Sequence, residues 1–462
     1  MVRWFLLSAF LGACFSPTTA PCDYACGTGG SCPTGLVCNA ENRCALAAND
    51  VCATAPPDAP SDVVVIEARD DLGAPTAGVS VIVLSRDGDL ITEQVTGADG
   101  TISVAVDPGA SATVVRPSAD PDAPTEVTSF VDLANGMHVI SQVAPPTTTR
   151  PVRVEWGPRG DASPVSVYAN CLQQRSIDPD GTGADLLVSA TCGPVDIALF
   201  AELPNGAAGQ LASAVSASSV SFPDVGWATL SSVSVTMARL PTEITRAQVT
   251  LAPWTAPERN GLFGMSVRTV VANTNYLMHA YPMFGIAGSV IMTPSVMAPG
   301  ETGVLRYADR LPPGGGTYMP DLDGVLLPYV YGLGVDTATR SLAWKQLAPS
   351  GFTMATRHGT QAMFEVVRGG MLLGRWRVIA APRETGSPPA GSIAIPDLPG
   401  TQPFELQPGD AVSRAQLQLF ATAPEAMQAT FEQFEVRLAN DNVFAVPDVG
   451  FITRSQVDIG TP

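Results

Sequence analysis

Short apolar runs punctuated by turn residues dominate this chain. Val63-Val64-Val65-Ile66 opens the first run; Gly78-Val79-Ser80-Val81-Ile82-Val83 and Ala112-Thr113-Val114-Val115 follow, and Ile102-Ser103-Val104-Ala105-Val106 alternates with polar or small residues. A period of two sends successive side chains to opposite faces, so these segments read as strands. Between them stand Gly73-Ala74-Pro75, Asp87-Gly88, Thr96-Gly97-Ala98-Asp99-Gly100 and Pro108-Gly109. Asp-Gly pairs between apolar runs signal hairpins. The pattern predicts a β-sandwich domain over 62–144.

Further along, the pattern repeats. Thr245-Arg246-Ala247-Gln248-Val249-Thr250-Leu251 returns as Ser413-Arg414-Ala415-Gln416-Leu417-Gln418-Leu419, and both run on to Ala-Pro-Glu at 256–258 and 423–425. Val267-Arg268 with Ala272-Asn273-Thr274-Asn275 matches Val436-Arg437 with Ala439-Asn440-Asp441-Asn442. Phe222-Pro223-Asp224-Val225 matches Ile395-Pro396-Asp397-Leu398, and Trp156 pairs with Trp344. Two diverged copies are expected, at 148–275 and 338–445, each about the size of one β-sandwich. Their alternating strands and single Trp weakly resemble immunoglobulin- or fibronectin-like domains. A connecting segment, 276–337, and a C-terminal tail, 446–462, complete this part.

Residues 269–300 carry no charge, and Tyr276 to Met292 is apolar enough to raise a membrane helix. Pro282, Gly285, Gly288, His279 and the Tyr and Val content favour buried strands. If exposed, such a run would mark a partner site.

Composition agrees with strands. The 462 residues include 43 Gly and 41 Pro, with 6% aromatic and 15% charged residues, which suits many short strands joined by turns. A hydrophobic fraction of 45% is too high for a disordered chain. At about 150 residues per domain the length allows about three domains. The expected fold class is all-β and multidomain: a small disulfide-rich module followed by three or so sandwich-like domains. The net charge of −18 excludes a nucleic-acid partner, because no basic stripe could neutralise phosphates. It equally argues against electrostatic docking on anionic lipid.

The N-terminus reads as an address. Arg3 precedes an apolar stretch from Trp4 to Ala13, then Leu11-Gly12-Ala13-Cys14 places small residues directly before a cysteine. This resembles the lipobox of bacterial lipoproteins. The resemblance implies export, removal of 1–13 as a signal peptide, lipidation of Cys14 and a tether over 14–21. The partner would be a membrane reached through lipid, at the outer membrane or cell surface. The rival is ordinary secretion with cleavage after Ala20, within Thr18-Thr19-Ala20. An uncleaved anchor is too short for a bilayer core of about 30 Å.

Nine cysteines fit this address. Without Cys14 eight remain, the even number expected of a disulfide-bonded exported protein. Cys22, Cys26, Cys32, Cys38, Cys44 and Cys52 fall within 22–52 at spacings C-x3-C-x5-C-x5-C-x5-C-x7-C; Cys171 and Cys192 stand apart. So short a module cannot bury enough apolar surface to fold unaided, so cross-links must hold it. Zinc is the alternative, but no C-x2-C knuckle or nearby His supports it. The stretch Cys32-Pro33-Thr34-Gly35-Leu36-Val37-Cys38 followed by Cys44 resembles small knotted modules of bacterial surface lipoproteins. A Pro-rich linker, 53–61, follows. The runs and Asp-Gly turns of 62–144 resemble the carboxypeptidase regulatory-like (transthyretin-like) domain. That resemblance implies a structural or adhesive module rather than a catalytic one.

Catalytic chemistry finds little footing. His138, His279 and His358 open neither His-x-x-Glu nor His-Glu-x-x-His, so a zinc peptidase is not supported. Gly264-Met265-Ser266-Val267-Arg268 lacks the second Gly of a nucleophile elbow. There is no Walker loop. Lys345 is the only lysine and stands in an ordinary strand pattern. The 43 acids leave a glycosidase pair open.

The best metal candidate is Asp178-Pro179-Asp180-Gly181-Thr182-Gly183-Ala184-Asp185. Asp178, Asp180 and Asp185 offer hard oxygen ligands in a Gly-rich loop, as calcium requires. The loop departs from an EF-hand in Gly position and lacks a closing Glu, and an exposed acidic turn is the simpler reading. Asp321-Leu322-Asp323-Gly324 is a weaker case. Trp156, Trp227, Trp254, Trp344 and Trp376 could stack on sugars if exposed, but one Trp per sandwich is usually core.

These features together point to a non-enzymatic lipoprotein of the cell envelope or surface, structural or adhesive in role, with an envelope protein or glycan as partner. A carbohydrate- or peptide-binding lipoprotein and an unrecognised hydrolase in the C-terminal half are the alternatives.

Overall fold

The computed structural model describes residues 37–38, 44–45, 62–70, 74–117, 124–142, 149–157, 165–169, 172–178, 180–189, 194–203, 206–223, 227–254, 266–280, 285–311, 316–355, 359–380, 390–399, 402, 404–422 and 451–460. The fold is all-β; among the described residues there is no helix. The chain divides into two units, Met1–Asp58 and Ala59–Pro462.

In the first unit β1 (Val37–Cys38) and β2 (Cys44–Ala45) form an antiparallel ribbon in which Cys38 lies opposite Cys44. Cys38 is disulfide-bonded.

The second unit begins with β3 (Val64–Arg69), β4 (Ser80–Leu84), β5 (Leu90–Val95), β6 (Thr101–Val104), β7 (Ala110–Arg116), β8 (Thr125–Leu133) and β9 (His138–Gln142). Sheet β6-β3-β9 faces β8-β7-β4-β5 over a core that includes Val64, Ile66, Val81, Val83, Ile102, Val104, Ala112, Val114 and Phe130. The alternation seen in the sequence is this core. The Asp-Gly turns perform as their chemistry dictates. Gly88 between β4 and β5 takes φ +90, and Ser85 Oγ accepts the N–H groups of Asp87 and Asp89. Gly100 takes φ +76, and a Cβ there would stand 2.8 Å from Pro75 Cβ.

β10 (Thr149–Trp156), β11 (Val165–Ala169), β12 (Leu172–Ile177), β13 (Gly183–Ser189), β14 (Val195–Leu203), β15 (Gly206–Val215), β16 (Ser219–Phe222) and β17 (Ala228–Thr229) make a second sandwich. Its sheets are β12-β13-β10-β16 and β11-β14-β15-β17. Its core takes every second residue: Val152, Val154 and Trp156; Val165, Val167 and Ala169; Ala184, Leu186 and Val188; Val195, Ile197, Leu199 and Ala201.

The remainder is β18 (Ser231–Thr236), β19 (Ile244–Trp254), β20 (Ser266–Val270), β21 (Asn275–Ala280), β22 (Gly285–Pro294), β23 (Glu301–Leu311), β24 (Gly316–Tyr318), β25 (Tyr329–Asp336), β26 (Ser341–Leu347), β27 (Gly359–Arg368), β28 (Met371–Ala380), β29 (Ala390–Ala394), β30 (Ala411–Thr422) and β31 (Phe451–Ile459). Eight of these join β8, β7, β4 and β5 in one twelve-stranded sheet, ordered β20-β19-β22-β23-β31-β30-β27-β28-β8-β7-β4-β5. The junction is the parallel pair β28–β8, in register from Gly374↔Thr125 to Ala380↔Val131. Sheets β21-β18-β24 and β25-β26-β29 pack on one face of the large sheet around the largest core. That core also takes Ile82, Leu84, Val115 and Val127, so β4, β7 and β8 are buried on both faces. A strand covered on both sides reads as a continuous apolar run, as Val81-Ile82-Val83-Leu84 does.

Three placements depart from the sequence expectation. The strands from 149 to 229 form a sandwich with its own core, whereas 231–280 belong to the region of the large sheet, so the segment expected as 148–275 is shared between two cores. β22 and β23, within the expected connecting segment 276–337, are inner strands of the large sheet. Phe451–Ile459, expected in a tail, is β31, hydrogen-bonded to β23 on one side and β30 on the other. Within the charge-free run, Val290 and Met292 are core while Leu277 on β21 is exposed. No helix among the described residues is long and apolar enough to cross a membrane.

The repeated motif occupies equivalent ground. In β19 Ala247, Val249 and Leu251 face the largest core, and in β30 Ala415, Leu417 and Leu419 do the same. The Trp correspondence is looser. Trp156 sits opposite Phe222 in a parallel pair, whereas Trp344 sits opposite Gly391 in an antiparallel one. The matched stretch at 436–442 lies outside the described residues.

Candidate functional site

The acidic loop links β12 to β13, which pair antiparallel as far as Ile177↔Ala184. Arg153 on β10 lies opposite Asp185 on β13. Its guanidinium donates from Nη1 to Asp178 Oδ1 at 2.9 Å and from Nη2 to Asp178 Oδ2. Nη1 also stands 3.4 Å from Asp185 Oδ1, and Nε 3.5 Å from Glu155 Oε1. The hydrogen bond from Arg153 holds the Asp178 carboxyl below the usual carboxylate range, and that same bond raises Arg153 above its own. Asp180 Oδ1 accepts the Thr182 N–H, an Asx turn, and Gly181 takes φ +70. Trp156 Nε1 donates to Gly181 O at 2.6 Å, tying the loop to the core. A Cβ on Gly183 would run into Arg153 and Asp178, so glycine is needed for the fork to close. Asp178 and Asp185 are therefore arranged around a guanidinium, while Asp180 caps its own turn. Among the described residues no group of three or more His, Cys, Asp or Glu is placed to hold a metal. Cys171 and Cys192, expected to brace this loop, lie outside the described residues, as do Cys14, Cys22, Cys26, Cys32 and Cys52.

The other sequence candidates are dispersed. His138 on β9 places Nε2 3.0 Å from Glu67 Oε2, and Arg69 holds the same carboxylate through Nε at 2.6 Å and Nη2 at 3.1 Å. The buried Glu67 carboxylate, held by these two half-buried groups, ties β3 to β9. His279 lies on β21, and His358 is outside the described residues. Ser266 opens β20 in an edge strand rather than a strand-to-helix elbow. Lys345 is exposed on β26, without the desolvation a Schiff-base lysine needs. Asp321 Oδ1 caps the Asp323 N–H, while Asp323 accepts the Thr353 N–H and meets Arg239 at 3.1 Å, so that loop is a structural clasp. Trp156, Trp344 and Trp376 are buried and unavailable for stacking on a sugar. Trp227 packs partly buried against the second sandwich core.

Two features escaped the sequence reading. One is Asp309 on β23. Burial pushes its carboxyl up to about 6, against the hydroxyls of Tyr318 and Tyr307, which favour the charged form. Tyr307 donates to Asp309 Oδ2 at 2.9 Å. Nothing local marks it, since Tyr307-Ala308-Asp309 reads as ordinary alternation. The other is the pair of outer strands of the large sheet. Among the described residues β5 pairs only with β4, and β20 only with β19. Leu90, Ile91 and Val95 are exposed on the first, and Val267 with the adjoining Val271 on the second.

No protein-family model matches the chain, and no curated protein matches it. Solved structures similar to parts of it include a variant of the shaft pilin SpaA of Lactobacillus rhamnosus GG, at 10% identity over 36% of this chain and 99% of that one, with a TM-score of 0.15. The major pilin subunit BcpA of Bacillus cereus is 11% identical over 51% of this chain and 89% of its own, with a TM-score of 0.15. A DUF3823 family protein of Bacteroides ovatus is 11% identical over 50% and 90%, with a TM-score of 0.14. At these identities and scores none of them assigns a function to this chain.

Proposed function

We propose that the chain is a lipid-anchored, non-enzymatic protein of the cell envelope or surface with a structural or adhesive role. The observation that carries this reading is the twelve-stranded sheet. It takes strands from near residue 80 through residue 459 and seats the last strand, β31, between two inner neighbours. Pulling on β31 must load its hydrogen bonds to two neighbours at once rather than peel an edge strand. Buried carboxylates are engaged in structural ion pairs: Glu67 with Arg69 and His138, Asp410 with Arg368, Glu405 with Arg340. Export is supported by the lipobox at Cys14 and by the disulfide at Cys38, since such bonds persist in oxidising compartments.

The single exposed lysine offers a direct test. A membrane-impermeant amine reagent applied to intact cells is expected to modify Lys345, and Cys14→Ser to release the chain from the membrane fraction. Labelling of Lys345 only after lysis would overturn the surface assignment. A mature N-terminus at an unmodified Pro21 would overturn the anchor. Glycan-array binding by the chain would replace the purely structural role with carbohydrate recognition.

A further inference from the structure

We propose that Asn135-Gly136 is a modification site gated by the fold: the pair deamidates only when the turn it forms lets go of β3, and the isoaspartate product keeps that turn from closing again. Asn135 and Gly136 are exposed and stand at the centre of the turn between β8 and β9. The Met137 N–H donates to Ala134 O at 3.3 Å across this turn, and Gly136 takes φ +85. Gly after Asn leaves the attacking nitrogen unshielded, because it carries no side chain. In the reaction the Gly136 nitrogen bonds to Asn135 Cγ and gives up its proton. The Cγ–Nδ2 bond breaks, and ammonia leaves with that proton. Water then opens the cyclic imide at either carbonyl, giving aspartate or isoaspartate. Solvent is the sole co-reactant.

The folded chain holds both reacting groups. The Gly136 N–H donates to Val63 O at 2.7 Å, so the proton that must leave is bound. Asn135 Oδ1 accepts the Val106 N–H at 2.9 Å, which fixes the direction of the carboxamide. The Val65 N–H donates to Met137 O at 2.9 Å, and β3 and β9 continue in parallel from Val65↔His138. Freeing the Gly136 nitrogen therefore requires the start of β3 to leave the turn. Val64 and Ile66 resist this, since both are wholly buried between the two sheets. The rate of deamidation follows the population of molecules opened there. The two products then differ. Aspartate keeps an acceptor for the Val106 N–H. Isoaspartate adds a carbon to the main chain, which lengthens the turn between its bonds to Val63 and Val65. A transient opening becomes a permanent one. This goes beyond the envelope role and does not rest on it.

The test uses the full chain after residue 13, with Cys14→Ser so that no acyl chain is attached. Deamidation at Asn135 is followed at neutral pH by peptide mapping with mass spectrometry. It should run roughly tenfold or more slower in buffer than in unfolding guanidinium chloride. Ile66→Val, which loosens β3, should raise the rate in buffer by roughly two- to tenfold and leave the rate in guanidinium chloride unchanged. A refolding arm adds Asn205→Gln and Asn260→Gln, so that Asn135-Gly136 is the one Asn-Gly pair left. Chains deamidated in guanidinium chloride and returned to buffer should separate into two species. Aspartate chains should melt like Asn135→Asp in the same background. Isoaspartate chains should melt lower, with the Val65 and Gly136 amides no longer protected from hydrogen exchange. A rate in buffer equal to the unfolded rate would overturn the gating, as would Ile66→Val leaving it unchanged. Isoaspartate chains that regain the parent's melting temperature and exchange protection would overturn the claim that the product holds the turn open.

Discussion

The indole of Trp344 on β26 lies directly against the Cα of Gly391, its cross-strand partner on β29. A Cβ at Gly391 would overlap the ring, and the indole is buried with no room to withdraw. Tyr318 occupies the space over Gly288 on β22 in the same way. Each aromatic ring fills the place of the side chain its partner lacks. Gly391→Ala and Gly288→Ala should each destabilise the second unit by about 1–3 kcal/mol, the range for overpacking a filled core. Chemical denaturation followed by tryptophan fluorescence measures this, and Gly334→Ala, where a Cβ meets nothing within 4 Å, is the control.

Asp309 gives stability a pH dependence of known sign. Its carboxyl is raised to about 6 in the folded chain, against about 3.9 when unfolded. Below the lower value both states are protonated and burial costs little. Between the two values the unfolded chain ionises first, so stability falls as pH rises and levels off above about 6. The loss is on the order of 2–3 kcal/mol. Asp309→Asn should remove it, leaving a variant more stable than the parent at pH 7 and similar at pH 4. The readout is the difference between the two denaturation curves at each pH, in which shared carboxylates cancel.

Local pattern made much of this fold legible, and pairing did not. The motif shared by Thr245–Leu251 and Ser413–Leu419 predicts two like strands, and the structure buries Ala247, Val249, Leu251 and their counterparts in one core. The turns at Gly88 and Gly100 follow from Asp-Gly chemistry alone. β31 was not visible as an inner strand because Thr453 and Ser455 interrupt the face that carries Val457 and Ile459, while Arg454, Gln456 and Asp458 line the other face, and its partners β23 and β30 are chosen by the fold, not by neighbours in sequence. The β28–β8 junction joins residues about 250 apart, a separation that periodicity does not encode. In the acidic loop the aspartates were evident, whereas Arg153 stands 25 residues before Asp178 and reaches it only because β10 and β13 pair.

Arg368 and Asp410 form a two-pronged pair, Nε to Oδ1 at 2.7 Å and Nη2 to Oδ2 at 2.8 Å, and Asp410 also accepts the Gln407 N–H. The Asp410 side chain is 3% exposed, so removing its partner strands a buried carboxylate. Arg368→Met should therefore cost about 3 kcal/mol, and Arg368→Met with Asp410→Leu should recover a large part of it. The hydrogen bond from Arg368 lowers the Asp410 pKa. The stability this pair supplies is present above the unfolded carboxylate value and lost as pH falls through the lowered one. Acid titration of the parent and the double variant should diverge only below about pH 4.

Arg153 and calcium compete for one place. The guanidinium already neutralises Asp178 and stands beside Asp185, so a cation entering the loop must displace it or meet its repulsion. Millimolar calcium should leave the melting temperature of the parent chain unchanged. In Arg153→Gln the freed carboxylates of Asp178 and Asp185, together with Asp180, should raise the melting temperature in a calcium-dependent way, by the mass-action effect of binding the folded state alone. Asp180→Asn in that background should reduce the rise. A parent chain that calcium stabilises, with the effect abolished by Asp180→Asn, would instead make the loop a calcium site from which the guanidinium withdraws.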